Sequence, residues 1–149
     1  MKDAANNWYV SQTTTYLNNT QPNQTWKQTT RTMDRYGNVT QMQQYDWGAS
    51  TPSRTYTNTW LHGADGNPTW ADPLYYRNRL LTSTVNDGTH TVTLVSNSYS
   101  YPRALLSTST TPTTSSTYTW DSYGNVTGQT VNGVSTSITM DPSHNYVVP

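Results

Sequence analysis

The chain has no cysteine, no phenylalanine and no glutamate. Without cysteine there are no disulfide bridges and no thiolate metal sites. Without glutamate the usual bidentate calcium ligand is missing, and all eight acidic residues are aspartates. Charged residues make up only 11% of the 149 residues, and the formal net charge is zero. Because a neutral chain has no basic field, we expect no nucleic acid among its partners.

Aliphatic residues are also scarce, which bears on membranes and on helices. Leu, Ile and Val together supply 19 residues, and no apolar run approaches the roughly 20 residues that span a bilayer. We therefore expect no membrane insertion. In their place stand 30 Thr, 15 Ser, 14 Asn, 8 Gln, 12 Tyr and 6 Trp. Thr, Tyr and Trp suit a pleated, half-buried surface, so the composition predicts an all-β fold with negligible helix.

One eight-residue segment recurs almost verbatim. Residues 33–40 read MDRYGNVT, and residues 120–127, placed 87 residues later, read WDSYGNVT. A degenerate copy, MDPSHNYV, follows at residues 140–147. An apolar-x-apolar pair also recurs at Tyr99/Tyr101, Tyr118/Trp120 and Ile138/Met140. A period near 20 residues is typical of stacked β architectures.

The repeated segment has the composition of a tight turn between two strands. Asp is favoured at the first position of a type I turn, and a glycine at the fourth position supplies positive φ. The Asp carboxylate accepts backbone N–H groups within such a turn. The predicted structural turn residues are Asp34, Gly37, Asn38, Asp121, Gly124, Asn125, Asp141 and Asn145.

Further hairpins are predicted between the copies. Residues 131–134, VNGV, carry the strongest two-residue hairpin signal. Residues 80–85 and 89–95 flank an Asn-Asp-Gly turn, whereas residues 108–116 read as a polar connector interrupted by Pro112. We expect a single β-repeat domain over residues 1–149, clearest at 29–45 and 78–149, with an irregular insert at about 46–76.

The pattern aromatic-Asp-x-x-Gly-Asn-Val-Thr resembles the YD repeat of RHS proteins, teneurins and the shell subunits of insecticidal toxin complexes. The resemblance implies stacked antiparallel β-hairpins that form the wall of a hollow shell. In that family the shell encloses a toxin or effector, or forms part of a cell-contact module. The chain would then be a fragment, a split gene product or a short member. Together with the low charge, the resemblance suggests a secreted or cell-surface bacterial protein.

Catalytic and metal-binding residues are not predicted. The three histidines have no metal-ligand spacing, and no serine lies in a nucleophile-elbow motif. The shared turn context of Asp34, Asp121 and Asp141 favours turn capping over a catalytic or calcium-binding role. We therefore expect a non-enzymatic protein without a cofactor or a metal.

Tryptophan supports an alternative function. Trp26, Trp47, Trp60 and Trp70 lie outside the clear repeats, and Trp60 and Trp70 flank a polar loop. These rings either replace Phe and Leu in a thin core or stack on sugars. The alternative to a shell segment is thus a small secreted carbohydrate-binding or adhesive β-module with a glycan as its partner.

The ends of the chain predict open strand edges. Residues 8–17 carry neither charge nor proline, and residues 131–140 carry no charge. Charges and prolines are the usual devices that prevent strand edges from pairing. The expected partner is the remainder of a larger RHS shell, or other copies of this chain.

Overall fold

A computed structural model describes residues 1–3, 5–17, 25–61, 76–143 and 147–148 of the chain. These residues form strands and turns, with no helix in the described part. The strands are β1 (Gln12–Tyr16), β2 (Trp26–Met33), β3 (Val39–Tyr45), β4 (Arg54–Leu61), β5 (Arg79–Asn86), β6 (Thr91–Ser100), β7 (Leu105–Thr110), β8 (Ser115–Trp120), β9 (Val126–Val131), β10 (Val134–Ser137), β11 (Thr139–Met140) and β12 (Val147–Val148).

Strands β1 to β10 form one sheet in which spatial order follows sequence order. Every neighbouring pair is antiparallel, so the sheet is a continuous row of hairpins. Strands β11 and β12 form a separate two-stranded sheet. The predicted all-β fold of antiparallel hairpins is confirmed.

Two predicted hairpins are present with the expected turn chemistry. Val131 pairs with Val134, and the two residues between them have positive φ, 48° at Asn132 and 87° at Gly133. This is the type I′ geometry that an Asn-Gly pair favours. In the β5–β6 turn the Asp87 carboxylate accepts the backbone N–H groups of Thr89 and His90.

Two segments are more regular than the sequence indicated. The expected connector at residues 108–116 is itself a hairpin, because β7 continues to Thr110 and β8 begins at Ser115. Pro112 lies within the tight turn between them, where Thr111 Oγ1 accepts the Thr114 N–H at 3.0 Å. Strand β4 lies inside the expected irregular insert and pairs with both β3 and β5.

Register shifts recur at one end of the sheet. Four of them fall next to Met33, Trp60, Tyr99 and Trp120, each the last or next-to-last residue of its strand, and a fifth lies inside β5 between Ser83 and Thr84. Extra residues of this kind kink a strand and redirect its side chains. The recurrence aligns Tyr99 with Trp120. The sequence-based alignment of Tyr101 with Trp120 is therefore wrong by two residues, and Tyr101 lies in the turn after β6.

The main sheet has almost no core. Among the described residues only Leu61 and Ala104 are buried hydrophobic side chains, at 3% and 2% exposure, and Tyr76, Leu81 and Tyr99 pack against them. Most other strand side chains are half-buried. Because hydrophobic burial is small, cross-strand pairs contribute an unusually large share of the stabilisation.

Candidate functional site

The repeated turns have matching hydrogen-bond networks. Asp34 Oδ1 accepts the backbone N–H groups of Tyr36 and Asn38, both at 2.9 Å. Asp121 Oδ1 accepts those of Tyr123 and Asn125 at 2.8 and 2.9 Å. The second carboxylate oxygen of each Asp accepts the amide of the Asn four residues later, at 2.8 and 3.0 Å. The glycines before these asparagines, Gly37 and Gly124, have φ values of 82° and 92°.

A third copy of this turn lies at the N-terminal end, where the sequence did not predict it. Asp3 Oδ1 accepts the N–H groups of Ala5 and Asn7, and Asp3 Oδ2 accepts the Asn7 amide at 3.1 Å. Asn6 occupies the glycine position with φ of 69°. Lys2 pairs with Trp8, as Trp120 pairs with Val126. The shared signal is Asp-x-x-(Gly/Asn)-Asn, a pattern in which asparagine replaces glycine because it also tolerates positive φ.

The remaining predicted turn residues are only partly described. Asp141 accepts a hydrogen bond from the Ser143 hydroxyl, and Met140 pairs with Val147 across the turn. Asn145 lies outside the described residues. The Asp34 turn has one further contact, because the buried Asn38 amide also donates to the backbone carbonyl of Arg77.

Aromatic side chains make a second repeated contact. The Trp120 indole Nε1 donates to the Leu106 carbonyl at 2.8 Å, and the Trp60 indole Nε1 donates to the Val39 carbonyl at 3.0 Å. The Tyr99 hydroxyl donates in the same way to a carbonyl of the preceding strand, that of Leu80, at 2.9 Å. Asn58 and Asn97, two residues before Trp60 and Tyr99, donate to these same Val39 and Leu80 carbonyls.

The position of these contacts follows from the strand pairing. The backbone pairing of β3 with β4 begins at Gln41, that of β5 with β6 at Thr82, and that of β7 with β8 at Thr108. Each accepting carbonyl belongs to the residue two positions earlier, beyond the paired region. A half-buried carbonyl needs a donor, and here an aromatic or amide side chain of the next strand supplies it.

The two faces of the sheet differ in chemistry. One face, the hydroxyl face, carries cross-strand hydroxyl pairs with Oγ–Oγ distances of 2.6 to 3.1 Å. The pairs are Thr32–Thr40, Thr59–Thr82, Ser98–Thr108, Thr119–Thr127 and Thr130–Ser135. Trp60, Tyr99 and Trp120 alternate with members of these pairs along β4, β6 and β8, so they lie on the opposite, aromatic face.

The aromatic face contains an open groove of about 490 Å³. Asn97, Tyr99, Leu106, Ser109 and Trp120 are among the residues that line it. The groove therefore combines aromatic rings with amide and hydroxyl groups and with one cationic side chain, that of Arg79. Burial raises the pKa of Tyr99, so this phenol stays neutral at physiological pH.

The carboxylates that accept hydrogen bonds within turns are those of Asp3, Asp34, Asp87, Asp121 and Asp141. The backbone N–H of Asn7 is the main cause that lowers the pKa of Asp3, and the N–H of His90 lowers that of Asp87. Asp87 is exposed and Asp3 is half-buried, and both carboxylates are charged at neutral pH. Within the described ranges no three His or Asp side chains come together as a metal site. That part of the chain also contains no helix able to cross a bilayer.

The structure describes only one residue of the proposed sugar-stacking pair. Trp60 is half-buried on the aromatic face, and its indole N–H donates a hydrogen bond to the Val39 carbonyl. Trp70 lies outside the described residues, so the geometry between the two rings is not defined. No protein-family model and no curated protein matches the chain.

Proposed function

We propose that this chain is a structural segment of an RHS/YD-repeat β-shell in a secreted or cell-surface bacterial protein. The shell would enclose or present a toxin or effector, or mediate cell contact. The observation that carries the proposal is the Asp turn, built with the same hydrogen bonds at Asp3, Asp34 and Asp121. A wall of stacked hairpins needs a unit of this kind, repeated in phase along one sheet.

Two further features support a wall. The ten main strands follow one another without a crossover, which suits a sheet that grows by adding hairpins. The ring-to-carbonyl contacts of Trp60, Tyr99 and Trp120 each join a strand to the preceding one. The Asp side chains of the repeats serve the turns, which agrees with a non-enzymatic role without cofactor or metal.

Electron microscopy of the assembled protein tests whether the chain forms the wall of a hollow shell. We expect thin-walled particles with a lumen, inside which a cargo segment resists added protease. The double substitution Asp34→Ala and Asp121→Ala should abolish the particles, because both turns lose their caps. Asp46→Ala removes a carboxylate outside the repeated turns and should leave the particles intact. Compact particles without a lumen would contradict the proposed shell function.

The groove on the aromatic face favours a second candidate, carbohydrate binding. Aromatic rings beside uncharged amides and hydroxyls suit a sugar ring. Titration of neutral oligosaccharides against intrinsic tryptophan fluorescence tests this function. A saturable change that Trp120→Ala abolishes and Trp8→Ala retains would establish it, since Trp8 lies elsewhere and is 79% exposed. No saturable change with any oligosaccharide would leave the shell segment as the better account.

A further inference from the structure

The aromatic residues of the groove on the aromatic face have already used their hydrogen-bond donors. The Trp120 indole N–H donates to the Leu106 carbonyl. The Tyr99 hydroxyl and the Asn97 amide both donate to the Leu80 carbonyl. These bonds hold the two rings against the sheet. What the rings of Tyr99 and Trp120 present to a ligand is therefore their apolar carbon surface.

Three polar side chains in the lining of the groove form no hydrogen bond or ion pair with the part of the chain that the structure describes. They are Asn78, Arg79 and Ser109. Arg79 is the one charged residue of the lining, which contains no aspartate. No described carboxylate therefore neutralises the Arg79 guanidinium, and the groove carries a local positive charge. A ligand complementary to this charge is an anion.

Arg79 and Trp120 lie at opposite sides of the groove. Arg79 is the first residue of β5 and Trp120 is the last residue of β8, with β6 and β7 between them. Three strand spacings place β5 and β8 about 14 Å apart. Tyr99 of β6 lies between the two sides, and the charge of Arg79 opposes the burial that raises the pKa of this phenol. The guanidinium is therefore close to an aromatic ring and not isolated from the groove.

The sheet around the groove favours a sugar over a peptide as the ligand. Strands β5 to β8 are paired on both sides, so they offer no edge to which an extended peptide could add. A peptide laid across the rings would bury backbone N–H and C=O groups without partners, which costs free energy. A sugar ring has C–H groups on its faces and hydroxyls around its rim. Its face contacts an aromatic ring while the rim stays hydrated in an open groove.

We propose that this groove binds an acidic glycan, in which the carboxylate of a uronic acid residue contacts the Arg79 guanidinium and a neighbouring sugar ring lies against Trp120. A guanidinium donates two parallel N–H groups to one carboxylate, which gives both charge and orientation. Asn78 and Ser109 are available to the hydroxyls of the same ligand. The proposal rests on the carbohydrate-binding candidate function and names its substrate class. It does not depend on the shell.

Calorimetric titration of the full chain with digalacturonate and with its dimethyl ester tests the charge. The ester keeps both sugar rings and removes only the negative charges. We expect the acid to bind about tenfold more tightly than the ester, because hydrogen bonds to a charged group are the stronger ones. Added sodium chloride should weaken the binding of the acid more than that of the ester, since salt screens charges near the surface.

Replacing the cation tests its position. Arg79→Gln should lower the affinity for digalacturonate about tenfold and leave the affinity for the ester nearly unchanged. Arg54→Gln is the matched control, because Arg54 is exposed at the start of β4 and does not line the groove. This control should keep the preference for the acid. The ratio of the two affinities within one variant is the readout, so a general loss of stability in Arg79→Gln does not imitate the expected result.

The outcomes separate the charge from the sugar. Equal affinity for the acid and the ester, or a preference for the acid that survives in Arg79→Gln, would overturn the proposal and leave carbohydrate binding in place. Binding of neither sugar, at any salt concentration, would overturn both. Saturable binding of an acidic peptide without binding of digalacturonate would show that the occupant of the groove is a polypeptide, and the glycan proposal would be wrong.

Discussion

Trp120 on β8 and Leu106 on β7 are joined by an indole-to-carbonyl hydrogen bond of 2.8 Å. Trp60 and Val39 repeat this relationship on β4 and β3. In both cases the ring covers the end of a strand pair, where the backbone ladder has stopped. These rings therefore act in two ways, as apolar cover for a thin sheet and as donors that replace a missing backbone N–H.

Replacing the indole by a smaller ring without an N–H tests the contribution of the hydrogen-bond donor. Trp120→Phe keeps an aromatic ring and leaves the Leu106 carbonyl without the indole donor. We expect a loss of about 1 kcal/mol in the free energy of unfolding by urea. Trp8→Phe is the matched control and should have almost no effect, because Trp8 is 79% exposed. Equal stability of the two variants would show that the indole N–H is dispensable.

The Asp121 carboxylate should contribute more than a single neutral hydrogen bond. It accepts two backbone N–H groups and the Asn125 amide. We expect Asp121→Ala to lower the free energy of unfolding by about 2 kcal/mol, since hydrogen bonds to a charged group are the stronger ones. Asp46→Ala, in an exposed turn, serves as the control. If the two substitutions have the same effect in urea denaturation, the network does not stabilise the turn.

The positive φ of Gly124 predicts a graded response to substitution. Gly124→Val should lower the free energy of unfolding by more than about 1 kcal/mol, because a β-branched residue is strained at a φ of 92°. Gly124→Asn should lower it less, since Asn6 occupies the equivalent position of the N-terminal turn with φ of 69°. Thermal melts compare the two variants. A higher melting temperature for Gly124→Val than for Gly124→Asn would show that the turn assignment is wrong.

The sequence was sufficient where local turn chemistry decides the structure. Asn132-Gly133 and Asp87-Gly88 predicted hairpins, because each turn type needs those residues whatever surrounds it. The Asp34 and Asp121 turns were predicted for the same reason. The apolar-x-apolar pair Tyr118/Trp120 also matches the burial pattern of β8, in which both rings are half-buried and Thr117 and Thr119 are exposed.

The sequence failed where the pattern depends on a neighbouring strand. The Asp3 turn was missed because Asn6 replaces the glycine and Lys2 replaces the aromatic residue. β4 was missed because Asn58 and Trp60 acquire their role only when β3 presents the Val39 carbonyl. The Tyr99 alignment was wrong by two residues because a register shift between β6 and β7 does not show in the sequence.

Acid should weaken the β5–β6 turn. Hydrogen bonds from His90 and Thr89 lower the pKa of Asp87 in the folded state. The stability they provide is present above the unfolded pKa of about 4 and is lost as the pH falls through the folded pKa. Urea denaturation at a series of pH values should therefore show a smaller acid-induced loss for Asp87→Asn than for the unmodified chain. An identical loss in both would assign the acid sensitivity to other groups.

Gly128 tests how closely β8 and β9 pack on the hydroxyl face. A Cβ atom at this position would lie 2.8 Å from Thr119 Oγ1, which is too short for a normal contact. Alanine in a strand usually stabilises relative to glycine by about 0.5–1 kcal/mol, so a steric effect must exceed this gain to appear. We expect Gly128→Ala to destabilise the chain, and to do so less when Thr119→Ala removes the opposing hydroxyl. A double-mutant cycle should give a coupling of about 1 kcal/mol. Additive effects would mean that Thr119 moves aside freely, and that the hydroxyl pair of Thr119 with Thr127 does not hold it in place.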